Sequence, residues 1–207
     1  MSESIFESFE AYLKEAHYPK GKKKIMQAAV DLISTKSYNG TSTLQIAKHA
    51  GLSQATLFKY FKTKEDLLTA ILHPIVPGLF GRFFEELLAF NTTEEKVHYL
   101  VHNRMAYLKK NRALMKIILQ EIFSNKKLRK EQLYIWNTLQ DKLLRLHKEL
   151  IKDSRVNPEL TIPQMVRLCV GPLLGYFAQL YIVGDKGDIR EEDLDLLEKQ
   201  ILGGLWK

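Results

Sequence analysis

Apolar residues recur at helical spacing along nearly all of the 207-residue chain. Ile25, Ala28, Ala29, Leu32 and Ile33 step by three and four, which puts them on one face of a helix. Ile5, Phe6, Phe9, Tyr12, Leu13 and Ala16 do the same nearer the start. Strand-like alternation is absent, and Gly and Pro mark breaks rather than hairpins. The pattern predicts helices over 4–17, 22–36, 42–50, 53–60, 64–73, 77–90, 93–110, 112–124, 127–153, 161–183 and 190–206. Capping residues sharpen the early boundaries. Ser4 with Glu7, and Ser42 with Gln45, make capping boxes, while Ser53 and Thr63 each precede a short helix. Gly51 supplies the positive φ that a tight turn between 50 and 53 needs. The expected fold is all-α: an extra amphipathic N-terminal helix within 1–19, a small domain over 20–68, and a helical bundle over 69–207.

Charge changes the picture at one place. The net charge is +7, yet residues 20–64 alone hold nine lysines against one acid, Asp31. Residues 1–19 are acidic, and the bundle is nearly neutral. Basic charge concentrated on one small domain is the electrostatic footprint of nucleic-acid binding. The single cysteine, Cys169, allows no internal disulfide, and the start has no basic n-region or uniform apolar core. Both fit a reducing, cytoplasmic compartment. Residues 162–183 approach membrane-span length but include Arg167, two glutamines, two prolines and two glycines. They read as a helix buried in protein rather than in lipid.

Two short helices joined by a glycine turn, 42–50 and 53–60, form a helix-turn-helix. In that motif the second helix enters the major groove. Leu44, Ile46, Ala47, Leu52, Leu57, Phe58 and Phe61 are expected to pack the pair against the preceding helix. Ser53, Gln54, Thr56 and Lys59 are expected to face the groove, where Gln can pair with adenine and Lys with guanine. Ser42, Thr43, Tyr60 and Lys64 complete the expected DNA-facing set, and Lys64 opens a helix whose N-terminus favours phosphate. The helix at 4–17 is expected to pack on this domain and set Lys20–Lys24 beside the DNA backbone.

From Ile25 through Leu68, and most densely over STLQIAKHAGLSQATLFKYFKTKEDLL, the sequence resembles the TetR (tetracycline-repressor-like) family of bacterial transcriptional regulators. The resemblance covers about a quarter of the chain and is gapless. It implies a three-helix N-terminal DNA-binding domain, a C-terminal helical domain for ligand binding and dimerisation, and palindromic operators. It also implies base reading by Gln54 and phosphate contacts by Thr43, Thr56, Tyr60 and Lys64. Phe58 stands where that family usually has tyrosine, Lys59 where a second aromatic is common, and Tyr60 where histidine is frequent.

The bundle carries weaker signals. Residues 161–183 are apolar nearly all round, and Gly171 and Gly175 would let another helix approach. Leu194, Leu197, Ile201 and Leu205 line one face of the last helix. Paired across a two-fold axis, these two helices would make a four-helix dimer interface. Aromatic and methionine residues in the bundle mostly form core, but they can also line an adaptable apolar pocket. Phe84, Met105, Tyr107, Met115, Trp136 and Phe177 are the candidate lining for a small hydrophobic effector, with Arg104, Gln120, Asn137 and Arg167 to orient it. His98 and His102 have metal-ligand spacing near Glu94 and Glu95, but nothing in the sequence fixes a third ligand, so no metal is assigned. No cofactor is expected, and no phosphate loop, metalloprotease helix or nucleophile elbow points to an enzyme. The leading expectation is a homodimeric, ligand-released repressor. The alternatives are an effector-independent architectural or division-coupled DNA-binding protein, and a helical enzyme with a vestigial motif.

Overall fold

The computed structural model describes residues 8–73, 80, 82–121, 139–184 and 187–207. The Ser4–Glu7 box and the candidates Trp136 and Asn137 lie outside them. Among the described residues the structure is helical, with no strand beyond an isolated bridge between Val156 and Trp206. The chain divides into two compact units, residues 1–79 with 110–133 and residues 80–109 with 134–207.

The first unit is organised by α2 (Lys20–Lys36), whose Ile25, Met26, Ala29 and Ile33 are fully buried. Burial of such apolar side chains contributes about 1.5–3 kcal/mol each for the large ones. Against α2 pack α3 (Thr43–His49), α4 (Gln54–Tyr60), α5 (Lys64–Leu72) and α8 (Arg112–Glu121). The unit that holds the helix-turn-helix thus draws in a helix more than forty residues beyond position 68. α1 (Phe9–Glu15) is capped by Ser8, whose Oγ accepts from Ala11 N at 3.2 Å. It buries Phe9 and Leu13, and Phe9 N donates to Asn111 Oδ1 at 3.3 Å.

The second unit contains α6 (Phe83–Ala89), most of α7 (Thr93–Lys110), a helix over 139–150 (α9), α10 (Ile162–Ala178) and α11 (Glu191–Leu205). A π-helical turn, Gln179–Val183, extends α10. α10 packs on α11, and Gly204 permits the approach: a Cβ there would stand 2.8 Å from Leu168 Cδ2. Arg155 ties the unit's ends together. Its guanidinium bridges Glu94 and Asp153 and lies over the Trp206 ring. That bridge holds both carboxyls below the usual range.

One expectation is overturned here. Residues 162–183 are not a buried helix: only Met165, Leu173 and Phe177 are buried. By length and composition this is a helix that could cross a membrane. Within one chain it packs along a single stripe. Much of its remaining surface, including Val170, Ile182 and Val183, is exposed.

Candidate DNA-binding site

The site is built from two capped helices and the turn between them. Ser42 Oγ accepts from Gln45 N while Gln45 Oε1 accepts from Ser42 N, so α3 starts with both halves of its capping box closed. Each bond satisfies an N–H that the first helical turn would otherwise leave open. Ala50 N and Leu52 N bond back to α3 carbonyls, and Gly51 turns the chain at φ 68°. Ser53 then caps α4, accepting from Thr56 N at 3.1 Å. Ile46, Ala47, Leu57 and Phe61 are buried beneath the pair, and Leu52 is half-buried.

Two of the residues expected to pack do not. Leu44 is 59% exposed and Phe58 45% exposed. Their positions fall on the outer faces of α3 and α4. There Phe58 stands beside Ala55 and Lys59, one turn from Gln54. An apolar side chain at that position can contact a thymine methyl group. Helical periodicity counted it as core because an apolar residue one step off the stripe looks like a stripe member.

Gln54 is half-buried, and its Nε2 donates to Thr43 Oγ1 at 2.8 Å, across the turn. A glutamine amide has two N–H donors and a carbonyl acceptor. Thr43 therefore fixes the amide's orientation while leaving it one donor and its acceptor, the pair that adenine N7 and N6 require. Thr43, expected to meet phosphate, also accepts this bond from Gln54 and keeps its own O–H to donate. Thr56 is half-buried, with its hydroxyl 2.9 Å from Ser53 Oγ. Lys59 is exposed on the outer face of α4, with Lys48 and Lys62 exposed nearby. Tyr60 is half-buried against the start of α2: a Cβ on Gly21 would lie 3.2 Å from its hydroxyl.

Lys64 departs most from expectation. Its Nζ donates to Tyr38 O at 2.8 Å and Thr41 O at 3.0 Å, and it sits 4.0 Å from the centroid of the Tyr38 ring. Tyr38 and Thr41 are buried. The ammonium therefore ties the first turn of α5 to the loop that precedes α3. It also faces Glu121, a buried carboxyl whose pKa is raised by desolvation and pulled back by Lys64. Burial, with Glu65, Glu121 and Asp66 nearby, pushes the Tyr38 hydroxyl up to about 12. Lys64 is a structural tie within this unit.

The amphipathic helix ahead of the motif reaches the same region. Lys22 Nζ lies 3.9 Å from the Tyr18 ring centroid and 5.4 Å from that of Phe61, and Lys23 Nζ donates to Lys14 O. Lys20 and Lys24 remain exposed.

The candidate effector residues are divided between the two units. Phe84, Arg104, Met105, Tyr107 and Phe177 belong to the second unit, Met115 and Gln120 to the first. Phe84, Met105, Met115 and Phe177 are buried, whereas Gln120 and Arg167 are exposed, so neither of those two orients a buried ligand within a single chain. Arg104 stacks over the Phe83 ring at 4.0 Å and lies 5.2 Å from the Tyr107 ring centroid. Desolvation lowers its pKa to about 10 and, at Tyr107, raises the hydroxyl to about 12. Tyr181 belongs to the same set of bundle aromatics. Its hydroxyl is buried with no hydrogen-bond partner among the described residues, and its ring packs 5.1 Å from Phe177.

The dimerisation set also separates. Leu194, Leu197, Ile201 and Leu205 are each at most 5% exposed and fill the unit's own core, so they cannot be a dimer surface. Gly171 and Gly175 are the reverse: nothing lies within 4 Å of a Cβ built on either.

Comparison with known proteins agrees with this geometry. Residues 25–71 match the family described as bacterial regulatory proteins, tetR family. The "Fatty acid metabolism regulator protein" of Bacillus subtilis is 29% identical over 85 residues, 41% of this chain and 44% of that protein. This chain therefore spans less than half the length of that relative. The "Nucleoid occlusion factor SlmA" of Vibrio campbellii is 22% identical over 157 residues, 74% of this chain and 78% of that one. Among solved structures, the transcriptional regulator FadR from Bacillus subtilis, in complex with stearoyl-CoA, superposes with a TM-score of 0.66. It is 23% identical and covers 87% of this chain and 95% of its own. The TetR-family regulator PfmR from Thermus thermophilus gives a TM-score of 0.70 at 23% identity, over 88% and 99%. At these identities the superpositions show the fold.

Proposed function

We propose that this chain, a DNA-binding regulator that belongs through residues 25–71 to the tetR family of bacterial regulatory proteins, acts as a homodimeric repressor. It reads a palindromic operator and is released by a small hydrophobic effector. The observation that carries the reading is the helix pair itself: two capped helices on a buried base, with Gln54 aimed by Thr43 and Lys59 exposed beside it. Such a regulator works on chromosomal DNA in the cytoplasm.

The exposed apolar face of α10 supports the dimer. Gly171 and Gly175 stand open on a helix that also exposes Val170 and Ile182, a surface that suits a partner helix from a second copy better than water. Two heads held by such an interface would meet half-sites one helical turn apart, or a multiple of it. Gly175→Arg should give monomers in sedimentation. A dimer that survives the substitution removes α10 from the interface.

The effector reading rests on the second unit. Tyr181 offers a buried hydroxyl with no hydrogen-bond partner among the described residues, packed against the Phe177 ring. A molecule with a polar group and an acyl or aromatic body fits it. The reading is favoured by the similarity to a regulator solved with stearoyl-CoA, a property of that protein. Effector coupling is typically about 1–3 kcal/mol and is reciprocal. The longer match to a nucleoid occlusion factor favours the second reading, a DNA-binding protein with no effector and a protein partner.

The experiment is selection of random duplex DNA by the full chain, followed by titration of the enriched site with and without a long-chain acyl-CoA. A palindrome that loses affinity roughly 5–150-fold on acyl-CoA addition supports the whole reading. A palindrome indifferent to acyl-CoA and to free fatty acid leads to the second reading. Absence of any enriched sequence, with binding sensitive only to salt, overturns the repressor.

A further inference from the structure

His98 and His102 lie one turn apart on α7, and α11 brings Glu198 to both of them. His98 Nδ1 is 2.8 Å and His102 Nε2 3.2 Å from the same oxygen, Glu198 Oε1. The three donor atoms all lie within 4.8 Å of one another, and the imidazole rings are 4.1 Å apart between centroids. From these positions we propose that His98, His102 and Glu198 form a binding site for a divalent transition-metal ion of the zinc type.

The chemistry of the donor set selects the metal. Two neutral imidazoles and one carboxylate suit zinc, nickel or copper and not magnesium or calcium, which take oxygen donors. Metal–ligand bonds of about 2.0–2.2 Å at tetrahedral angles place donors roughly 3.3–3.5 Å apart. The two histidine nitrogens lie 2.8 and 3.2 Å from the Glu198 oxygen and within 4.8 Å of each other, so side-chain shifts bring the three donors to that spacing. The neighbouring acids divide clearly. Glu95 accepts from Asn91 N and Thr92 N at the start of α7, and Glu94 is bound by Arg155, so neither is available. Glu191, two turns before Glu198 at the start of α11, approaches His102 Nε2 to 3.7 Å and is largely exposed. Three protein ligands with an exposed fourth side leave room for water or Glu191. The side chain of Glu198 is 19% exposed and that of His98 61%, so an ion can enter from solvent. The third ligand is about a hundred residues from the histidines, which is why their spacing alone could not assign a metal.

The test uses the tag-free full chain, stripped of metal and titrated with zinc chloride by calorimetry and with cobalt chloride by visible absorption. One zinc per chain is expected, with a cobalt spectrum of tetrahedral intensity and a higher melting temperature on zinc addition. His98→Ala and Glu198→Gln should each weaken zinc at least tenfold and abolish the cobalt signal. Their metal-free melting curves report folding independently, and His17→Ala should bind like the wild type. Binding that survives both substitutions, or fails in a folded wild-type chain, would show that these residues form only a histidine–carboxylate ion pair.

Discussion

Lys64→Met separates two roles that a lysine at a helix N-terminus can play. The substitution keeps most of the apolar stem and removes the ammonium. Two buried carbonyls, Tyr38 O and Thr41 O, then lose their charged donor, and the Tyr38 ring loses its cation. Hydrogen bonds to charged groups contribute about 1.5–3 kcal/mol when protected, and a partly exposed cation–π contact about 0.5–1 kcal/mol. Lys64 is half-buried, which puts each bond at the low end. Two bonds at that end and the ring contact total about 3.5 kcal/mol, increased somewhat because the buried Glu121 loses its neighbouring cation. For a chain of this length, about 2–4 °C per kcal/mol makes the expected fall in melting temperature roughly 7–14 °C.

The assay pairs thermal melts by circular dichroism with operator binding across a salt series, at a temperature where both proteins are folded. A lysine on a phosphate contributes about one unit to the salt slope, and its removal flattens the slope by that much. The structure predicts the converse for Lys64→Met: a large loss of stability and an unchanged slope. Lys59→Ala, exposed on α4, should flatten the slope and melt like the wild type. If Lys64→Met melts like the wild type and flattens the slope, the internal tie is wrong and Lys64 meets DNA.

Thr43→Ala should relax base preference at the same operator position as Gln54→Ala, by up to about 1–3 kcal/mol of discrimination, because the amide loses the hydroxyl that aims it; quantitative binding to operators varied at that base reads this out. Glu121→Gln should raise the melting temperature at pH 7. Burial raises the Glu121 pKa in the folded state, so the cost of its ionised form is absent below the unfolded carboxyl value and complete above the folded one. The gain over wild type should therefore vanish as pH falls below the usual carboxylate range, and a gain that grows in acid would reverse the assignment. Ser37 ends α2 at φ 68° and ψ 164°, a region that favours glycine. Ser37→Gly should stabilise the chain by about 1 kcal/mol, offset in part by the lost bond from Gly40 N to Ser37 Oγ, as read from denaturant midpoints.

How far the sequence could be read depended on the range of the interaction involved. Helix positions, the caps at Ser42, Ser53 and Thr63, and the turn at Gly51 were legible because each depends on residues within four of one another. The internal contacts of the expected DNA-facing residues were not legible. That Thr43 aims Gln54 depends on how α3 crosses α4, eleven residues apart, and that Lys64 reaches Tyr38 O depends on a contact spanning twenty-six. A lysine long enough to reach phosphate is also long enough to fold back. Only the carbonyls left open by the loop before α3 decide between the two. The same limit divided the two helices expected at a dimer interface. A stripe of leucines on the last helix specifies one buried face but not the partner that buries it. Leu194, Leu197, Ile201 and Leu205 found theirs inside the chain, while the small residues of α10 were left outside. An amphipathic helix uses its best stripe for its own core first, because that contact costs no loss of a second molecule's freedom. Surface left for a second copy is therefore the second-best face, interrupted by glycine and polar residues. Periodicity reads that face poorly.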